Sequence, residues 1–272
     1  MKIERSWQMI LILLTYYVSI CRKVVNLWLI MSKDIFTFKQ FSVNHGASSM
    51  RVGTDAVLLG SWAEMHASYT SGARVLDIGC GCGLIGMMIA QRYPFASVLG
   101  IDIDVPSVYE AKENAETSPF ASRMEFMVAD VRSFSEDSSR GLFNFVLCNP
   151  PYYTEDTLPP DDRRSKARNS HHLSFAELVS SVTKILSADG VFAVVIPMQA
   201  RGEFVGEALK NNLYLRRECS VKTTLRKAPK RVLLEFDLQK NNIIDVQTIV
   251  LQNPDGSRSE EYSTLCKDFY LR

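Results

Sequence analysis

The 272-residue sequence lacks the marks of several protein classes, and each absence narrows the field. Its six cysteines contain no Cys-x-x-Cys pair; the nearest two, Cys80 and Cys82, lie inside a glycine run. That spacing excludes a zinc ribbon or a dithiol redox motif, and thiols scattered among apolar neighbours fit a reducing compartment, the cytoplasm. Neither charge sign dominates, since 31 Lys and Arg face 30 Asp and Glu for a net of +1. Any surface for nucleic acid must therefore be local. No internal repeat or low-complexity tract is present, which removes solenoid, collagenous and mostly disordered readings. A chain of this length buries a sizeable core without disulfide or metal staples.

Long hydrophobic runs are also missing, with one near exception. Residues Trp7 to Ile20 are almost all apolar, Arg22-Lys23 interrupts, and Val24 to Met31 is apolar again. The first run is shorter than the roughly 20 residues of a spanning helix and lacks a small-x-small cleavage site. Residues 1–30 thus read as an extra leader upstream of a true start at Met31, with 31–272 forming a single domain. A membrane or interfacial anchor is the other reading of the leader.

From residue 36 a regular pattern is present. Phe36 to Phe41 alternates like a short strand, and Val57, Leu58, Leu59, Trp62 and Ala63 share a helix face that Thr54 or Asp55 can cap. Apolar strands are expected at 73–78, 97–102, 124–129, 143–148, 191–196 and 232–238. Helical patterns fall at 84–92, 106–116, 174–187 and 199–211. This alternation implies crossover units and a mostly parallel sheet covered on both faces. The irregular stretch Tyr153 to His172 is long for a loop inside a compact domain, which marks function or disorder.

The sharpest motif is Val75-Leu-Asp-Ile-Gly-Cys-Gly-Cys-Gly-Leu-Ile-Gly86. An apolar strand runs into Asp77, and Gly79, Gly81 and Gly83 then let the backbone turn tightly and approach a ligand. The following helix offers its N-terminal amides to a negative group. Because Gly81-x-Gly83-x-x-Gly86 also satisfies the dinucleotide fingerprint, a nicotinamide cofactor stays open at this point. Asp102 ends the next strand, where a carboxylate accepts from ribose hydroxyls in either cofactor. Asp130 ends the third, within reach of an adenine amino group.

The fourth strand runs into Asn149-Pro150-Pro151-Tyr152. Asn149 brings a side-chain carbonyl, the prolines stiffen the turn, and Tyr152 supplies a flat face. Two carbonyl acceptors on one planar amine pull its lone pair out of conjugation, as a weakly nucleophilic exocyclic amine requires. Hydride transfer has no use for such a group, so the nicotinamide reading falls away.

With these residues in view, the chain resembles the class I S-adenosylmethionine-dependent methyltransferases that carry Asn-Pro-Pro-Tyr. Phe38-Lys-Gln-Phe-Ser-Val43, Met50-Arg-Val-Gly-Thr-Asp55, Leu58-Leu-Gly-Ser-Trp62, Pro229-Lys-Arg-Val-Leu-Leu234, Ser259 to Leu265 and Phe269-Tyr-Leu271 are similar to the bacterial tRNA(Val) adenine-37 N6-methyltransferase family. Arg51 stands where that family suggests lysine. The resemblance implies a seven-stranded, mostly parallel sheet with the last strand antiparallel, and S-adenosylmethionine as cofactor. It further implies that Asp77, Gly79, Gly81 and Gly83 line the methionine end, with Thr54 and Asp55 closing over it. Asp102 would hold the ribose and Asp130 the adenine. Asn149, Pro150 and Tyr152 would grip and stack the target base in a tRNA anticodon loop. No residue is assigned as a base.

Two basic clusters are candidates for RNA contact. Arg163, Arg164, Lys166 and Arg168, with His171 and His172 behind them, follow the Asn-Pro-Pro-Tyr turn. Lys222, Arg226, Lys227, Lys230 and Arg231 precede the last expected strand with no acid among them. No third ligand accompanies the histidines, so no metal is expected. An rRNA-base or protein-glutamine methyltransferase, and a catalytically silent RNA-binding partner, are the competing readings. The glutamine enzymes carry a separate N-terminal helical domain, for which the stretch between Met31 and the first sheet strand is short. A silent partner would be expected to have lost Asn149 or the glycine turn.

Overall fold

The structure, a computed structural model, describes residues 34–48, 50–69, 71–150, 173–240 and 243–271. The leader, Tyr152 and the first basic cluster (Arg163, Arg164, Lys166, Arg168, His171 and His172) lie outside the described residues.

The described residues open with a hairpin of β1 (Ile35–Thr37) and β2 (Ser42–Asn44). The single strand expected over 36–41 is therefore half turn: Phe38 N–H donates to Phe41 O at 2.8 Å, which reverses the chain. Helix α1 (Thr54–Trp62) follows, capped by Gly53 without a side-chain bond, so neither Thr54 nor Asp55 is the cap. Then β3 (Arg74–Ile78), α2 (Leu84–Arg92), β4 (Ser97–Asp102), α3 (Val105–Glu116), β5 (Met124–Val128), α4 (Val131–Phe134) and β6 (Phe143–Cys148) alternate. Beyond these come α5 (Phe175–Ile185), β7 (Leu186–Pro197), α6 (Arg201–Lys210), β8 (Tyr214–Thr224), β9 (Arg231–Asp237), β10 (Asp245–Gln252) and α7 (Glu260–Leu265).

The main sheet has the order β10-β8-β9-β7-β6-β3-β4-β5. Strands β3 to β7 are mutually parallel, and β9 is antiparallel to both β7 and β8. Among the described residues the expected count of seven becomes eight, and the antiparallel strand is not the last. After β9 the chain adds β10, which pairs parallel to β8 and occupies the edge. Neither β8 nor β10 stood out in the sequence. In β8 the run Arg216-Arg217-Glu218 breaks the apolar alternation, because its arginines pair with Glu235 and Asp245 and Glu218 with Arg201. Strand β10 is an edge strand with little of its surface buried.

The central strands are buried on both faces, which is why they read as unbroken apolar runs. Alternate residues point into two cores. Val75, Phe145, Leu147, Val191 and Val195 pack with α1, α2 and the segments 36–43 and 262–270. Leu76, Val146, Phe192, Val194 and Phe236 pack with α5 and Phe204 of α6. Each such side chain contributes roughly 1.5–3 kcal/mol by leaving water. The hairpin is held from the far end of the sequence: Lys39 N–H donates to Phe269 O at 2.8 Å, and Phe38 stacks on Tyr270 with centroids 6.1 Å apart.

Helix α5 begins with a full capping box between Ser174 and Glu177, at the described residues that follow Pro150. Among the described residues, no helix is long and apolar enough to cross a membrane.

Candidate active site

A cavity of about 430 Å³ opens over the C-terminal ends of β3, β4, β5 and β6, where ligands enter open α/β sheets. Gly79 and Gly81 form its floor, Asp102 to Asp104 one wall, Ala129 to Arg132 another, and Cys148, Asn149 and Pro150 a third. Four strand ends thus meet one space.

The glycines are there for the backbone and for the ligand. Gly79 and Gly81 have φ of 68° and 51°, and a Cβ on either would meet no protein atom within 4 Å. A side chain there would project into the cavity instead. Gly83 differs: it caps α2 at φ 83°, and its Cβ would stand 3.0 Å from the Phe126 ring. It is not among the cavity-lining residues, so its smallness serves the packing of α2 against β5.

Asp77 also takes another place from the one expected. Its side chain is fully buried beneath the turn and does not line the cavity; Oδ2 accepts from Gly86 N–H at 3.0 Å, inside the first turn of α2. The helix N-terminus that a pyrophosphate would use in a dinucleotide site is thus already served by a carboxylate of the chain itself. Burial pushes the Asp77 carboxyl up to about 7. Among the described residues its Oδ1 has no hydrogen-bond partner.

Asp102 organises the wall at the end of β4. Oδ2 accepts from Gly81 N–H and Oδ1 from Asp104 N–H, both at 2.9 Å, so one carboxylate joins the glycine turn to the start of α3. Asp104 in turn caps α3, accepting from Ser107 N–H at 3.0 Å.

Asp130 reaches the cavity but is occupied. Arg132 donates to it through its backbone N–H (2.9 Å), Nε (3.0 Å to each oxygen) and Nη2 (2.6 Å), and its Nη1 reaches Glu177 Oε1 at 3.2 Å. These bonds, to Asp130 first and Glu177 second, raise the Arg132 pKa. The loop after β5 is thereby tied to the first turn of α5. Arg132 was not foreseen: a lone arginine after a strand carries no spacing signal.

Asn149 is 7% exposed and lines the cavity beside Pro150. Cys80, Cys82 and Cys148 also line the cavity but are buried, and burial raises all three thiols, Cys82 to about 12, so they stay protonated.

Thr54 and Asp55 do not line the cavity. The segment just before them does so, through Met50, Arg51 and Val52, together with Ala56. Asp55 faces the other way and accepts from Arg231 Nε at 2.8 Å. Arg231 is therefore an internal strut rather than a free surface charge. The rest of its cluster lies on the β8–β9 hairpin, with Arg226, Lys227 and Lys230 exposed or nearly so and Lys222 half-buried. The pairing of Pro197 with Arg231 and of Cys148 with Val194 puts this hairpin on the cavity's edge of the sheet.

The donor set suits a cationic, adenosine-bearing ligand. Asp102 and Asp104 line the cavity, a buried carboxyl with an oxygen unpartnered among the described residues lies under its floor, and two glycines leave room that any side chain would fill.

Comparison with known proteins agrees. The fold matches a predicted O-methyltransferase from Agrobacterium tumefaciens, with a TM-score of 0.61, 17% identity, and coverage of 79% of this chain and 96% of that one. It also matches a putative class I S-adenosylmethionine-dependent methyltransferase from Listeria monocytogenes, with a TM-score of 0.51, 16% identity, and coverage of 74% and 65%. Residues 52–213 match the family described as the methyltransferase small domain. Fold and site thus define a class I methyltransferase, for which S-adenosylmethionine is the methyl donor.

The curated relatives narrow this further. A tRNA1(Val) (adenine(37)-N6)-methyltransferase from Bacteroides fragilis is 39% identical over 242 residues, covering 89% of this chain and all of the relative. One of the same description from Vibrio cholerae is 35% identical over 237 residues, covering 87% and 95%. The chain belongs to the tRNA1(Val) (adenine(37)-N6)-methyltransferase family.

Proposed function

We propose that this methyltransferase transfers the methyl group of S-adenosylmethionine to the exocyclic N6 amine of adenine 37 in the anticodon loop of a tRNA(Val), within a single catalytic domain spanning residues 31–272. The observation that carries this reading is that Asn149 and Pro150 share one cavity with Gly79, Gly81 and Asp102, so donor and acceptor chemistry meet in a single space.

In this reading Asp102 accepts from the ribose hydroxyls, Gly79 and Gly81 admit the methionine end, and the Asp130–Arg132 pair borders the adenine. Asp77 acts from beneath by fixing the first turn of α2. When bound, the cofactor supplies an electrophilic methyl on a sulfonium. The carbonyls of Asn149 and Pro150 accept the two N–H groups of the target amine, which frees its lone pair and aims it. Orientation of this kind supplies on the order of 7–11 kcal/mol of barrier reduction, so no strong base is required. An anticodon-loop adenine is already unpaired, which avoids most of the few kcal/mol that flipping from a duplex costs. Lys222, Arg226, Lys227 and Lys230 hold the RNA backbone. A tRNA substrate sets this work in the cytoplasm.

The test is transfer from labelled S-adenosylmethionine to RNA of a strain lacking the gene, with nucleoside analysis, using wild type and Asn149→Ala. The expected outcome is N6-methyladenosine in tRNA(Val) with wild type, and a fall in kcat of at least about 100-fold in the variant with cofactor still bound. Label in another nucleoside or in protein glutamine would overturn the substrate, and an active variant would overturn the mechanism.

A further inference from the structure

The wall of the cavity formed by Met50, Arg51 and Val52 belongs to no helix or strand. It is a strap between β2 and α1, and its position is set from outside itself.

Two buried polar side chains of α3 hold it. Glu110 is 4% exposed and Asn114 4% exposed. Glu110 Oε1 accepts from Ala47 N–H at 2.8 Å, while Oε2 accepts from Ser48 N–H at 2.9 Å and from Ser48 Oγ–H at 2.6 Å. One turn further on, Asn114 Oδ1 accepts from Asn44 N–H, and its Nδ2 donates to Asn44 O at 2.8 Å and to Cys82 O at 2.9 Å. The second of those acceptors lies in the glycine turn. A carboxylate and an amide, four residues apart on one helix face, thus bind the strap to the helix that starts at the ribose wall and to the loop that forms the floor.

A buried carboxylate is costly unless its lone pairs are used, and here three donors from two consecutive residues use them. Helix α3 has no need of these bonds for its own packing, since Val108, Ala111 and Ala115 provide that. What Glu110 organises is the strap.

We propose that Glu110 is a positioning residue for the cofactor site, clipping residues 47 and 48 so that Met50, Arg51 and Val52 close one side of the cavity. This rests on the cavity being the S-adenosylmethionine site. Asn114 keeps the clipped strap in register with the glycine turn.

Glu110→Gln tests the clip sharply. The glutamine amide has one oxygen, so its NH₂ must face a backbone N–H that the carboxylate accepted. Three measurements on the full chain separate the outcomes. Hydrogen exchange of the ligand-free protein over residues 45–53 reads the clip without any turnover, and is expected to speed up about tenfold in the variant. Titration with S-adenosylhomocysteine is expected to show a Kd raised about tenfold. In steady state the KM for S-adenosylmethionine should rise in proportion while kcat and the KM for tRNA change by no more than about twofold. Ser48→Ala, which removes a single hydroxyl, should move Kd about threefold in the same direction and keeps the test valid should the glutamine variant not fold.

Unchanged exchange in Glu110→Gln shows that Glu110 is no clip. Faster exchange with an unchanged Kd shows that the strap does not serve the cofactor. Either result overturns the proposal alone. Wild-type protein that fails to bind S-adenosylhomocysteine overturns the cofactor reading of the cavity, and the proposal with it.

Discussion

Arg231, at the start of β9, donates through Nε to the Asp55 carboxylate of α1 at 2.8 Å, across 176 positions of sequence. From the sequence the two residues belong to different tasks, one on RNA and one on the cofactor. Together they instead lock the helix that follows the strap to the strand that follows the basic hairpin.

Their pairing makes a prediction about which charges touch RNA. Asp55→Asn, Arg231→Gln and the double variant should show a coupling of about 0.5–1 kcal/mol in denaturant unfolding, since both side chains are partly solvated. None of the three should alter the salt dependence of tRNA binding. A change in salt slope with Arg231→Gln would return Arg231 to the RNA surface.

The exposed remainder of the hairpin behaves differently. Charge reversal at Lys227 and Lys230 should raise the KM for tRNA and lower the slope of log K against log salt by about 1 for each phosphate left without its lysine. Among the described residues neither lysine is in an ion pair, so thermal stability should hold. Unmoved KM and slope would make the hairpin an ordinary solvated turn.

Asp102 should dominate cofactor affinity. Asp102→Ala removes an acceptor from the ligand and also releases Gly81 N–H and Asp104 N–H. At about 1.5–3 kcal/mol per bond to a charged group, S-adenosylhomocysteine binding should weaken between about tenfold and a hundredfold. Calorimetric titration checks this, and an unchanged Kd would misplace the ribose.

The buried Asp77 carboxyl predicts a pH dependence of the ligand-free protein. Its folded pKa is raised from 3.8 to about 7, so the folded state keeps a proton that the unfolded chain releases near 3.8. The associated stability is complete below the unfolded value and is lost as pH rises through about 7. Glu235, also raised to about 7 by burial, adds to the same slope. Asp77→Asn retains an acceptor for Gly86 N–H but does not titrate. The difference in melting temperature between pH 5 and pH 8 should therefore shrink in the variant, and a difference equal to that of wild type would show that Asp77 ionises normally.

These relationships also show which parts of the molecule the sequence could reveal. Strands β3 to β6 were legible because burial on both faces forces unbroken apolar runs, and the glycine turn and Asn149 because each motif is contiguous in the chain. Strand β8 was hidden by Arg216, Arg217 and Glu218, whose charges are absorbed by partners on neighbouring elements. Other contributors carried no such signal: Met50 and Val52 line the cavity where the sequence pointed instead to Thr54 and Asp55, and neither Arg132 beside Asp130 nor Glu110 behind the strap belongs to a motif. Asp77 and Gly83 were found as residues but lie behind the cavity lining, since a motif fixes where the backbone turns but not which of its residues reach the cavity.

The stacking of Phe38 on Tyr270 has a consequence for how the protein is made. These rings are 232 positions apart, so at bacterial synthesis rates the hairpin waits on the order of 10–50 s for its partner. A ribosome-stalled chain ending before residue 259 should accordingly leave residues 35–53 open to protease. The strap hangs from that hairpin, so the wall it forms is the last part of the cavity to be finished. A nascent chain, although it already contains the glycine turn and Asn149, thus remains a poor binder of S-adenosylmethionine until residues 259–271 have emerged.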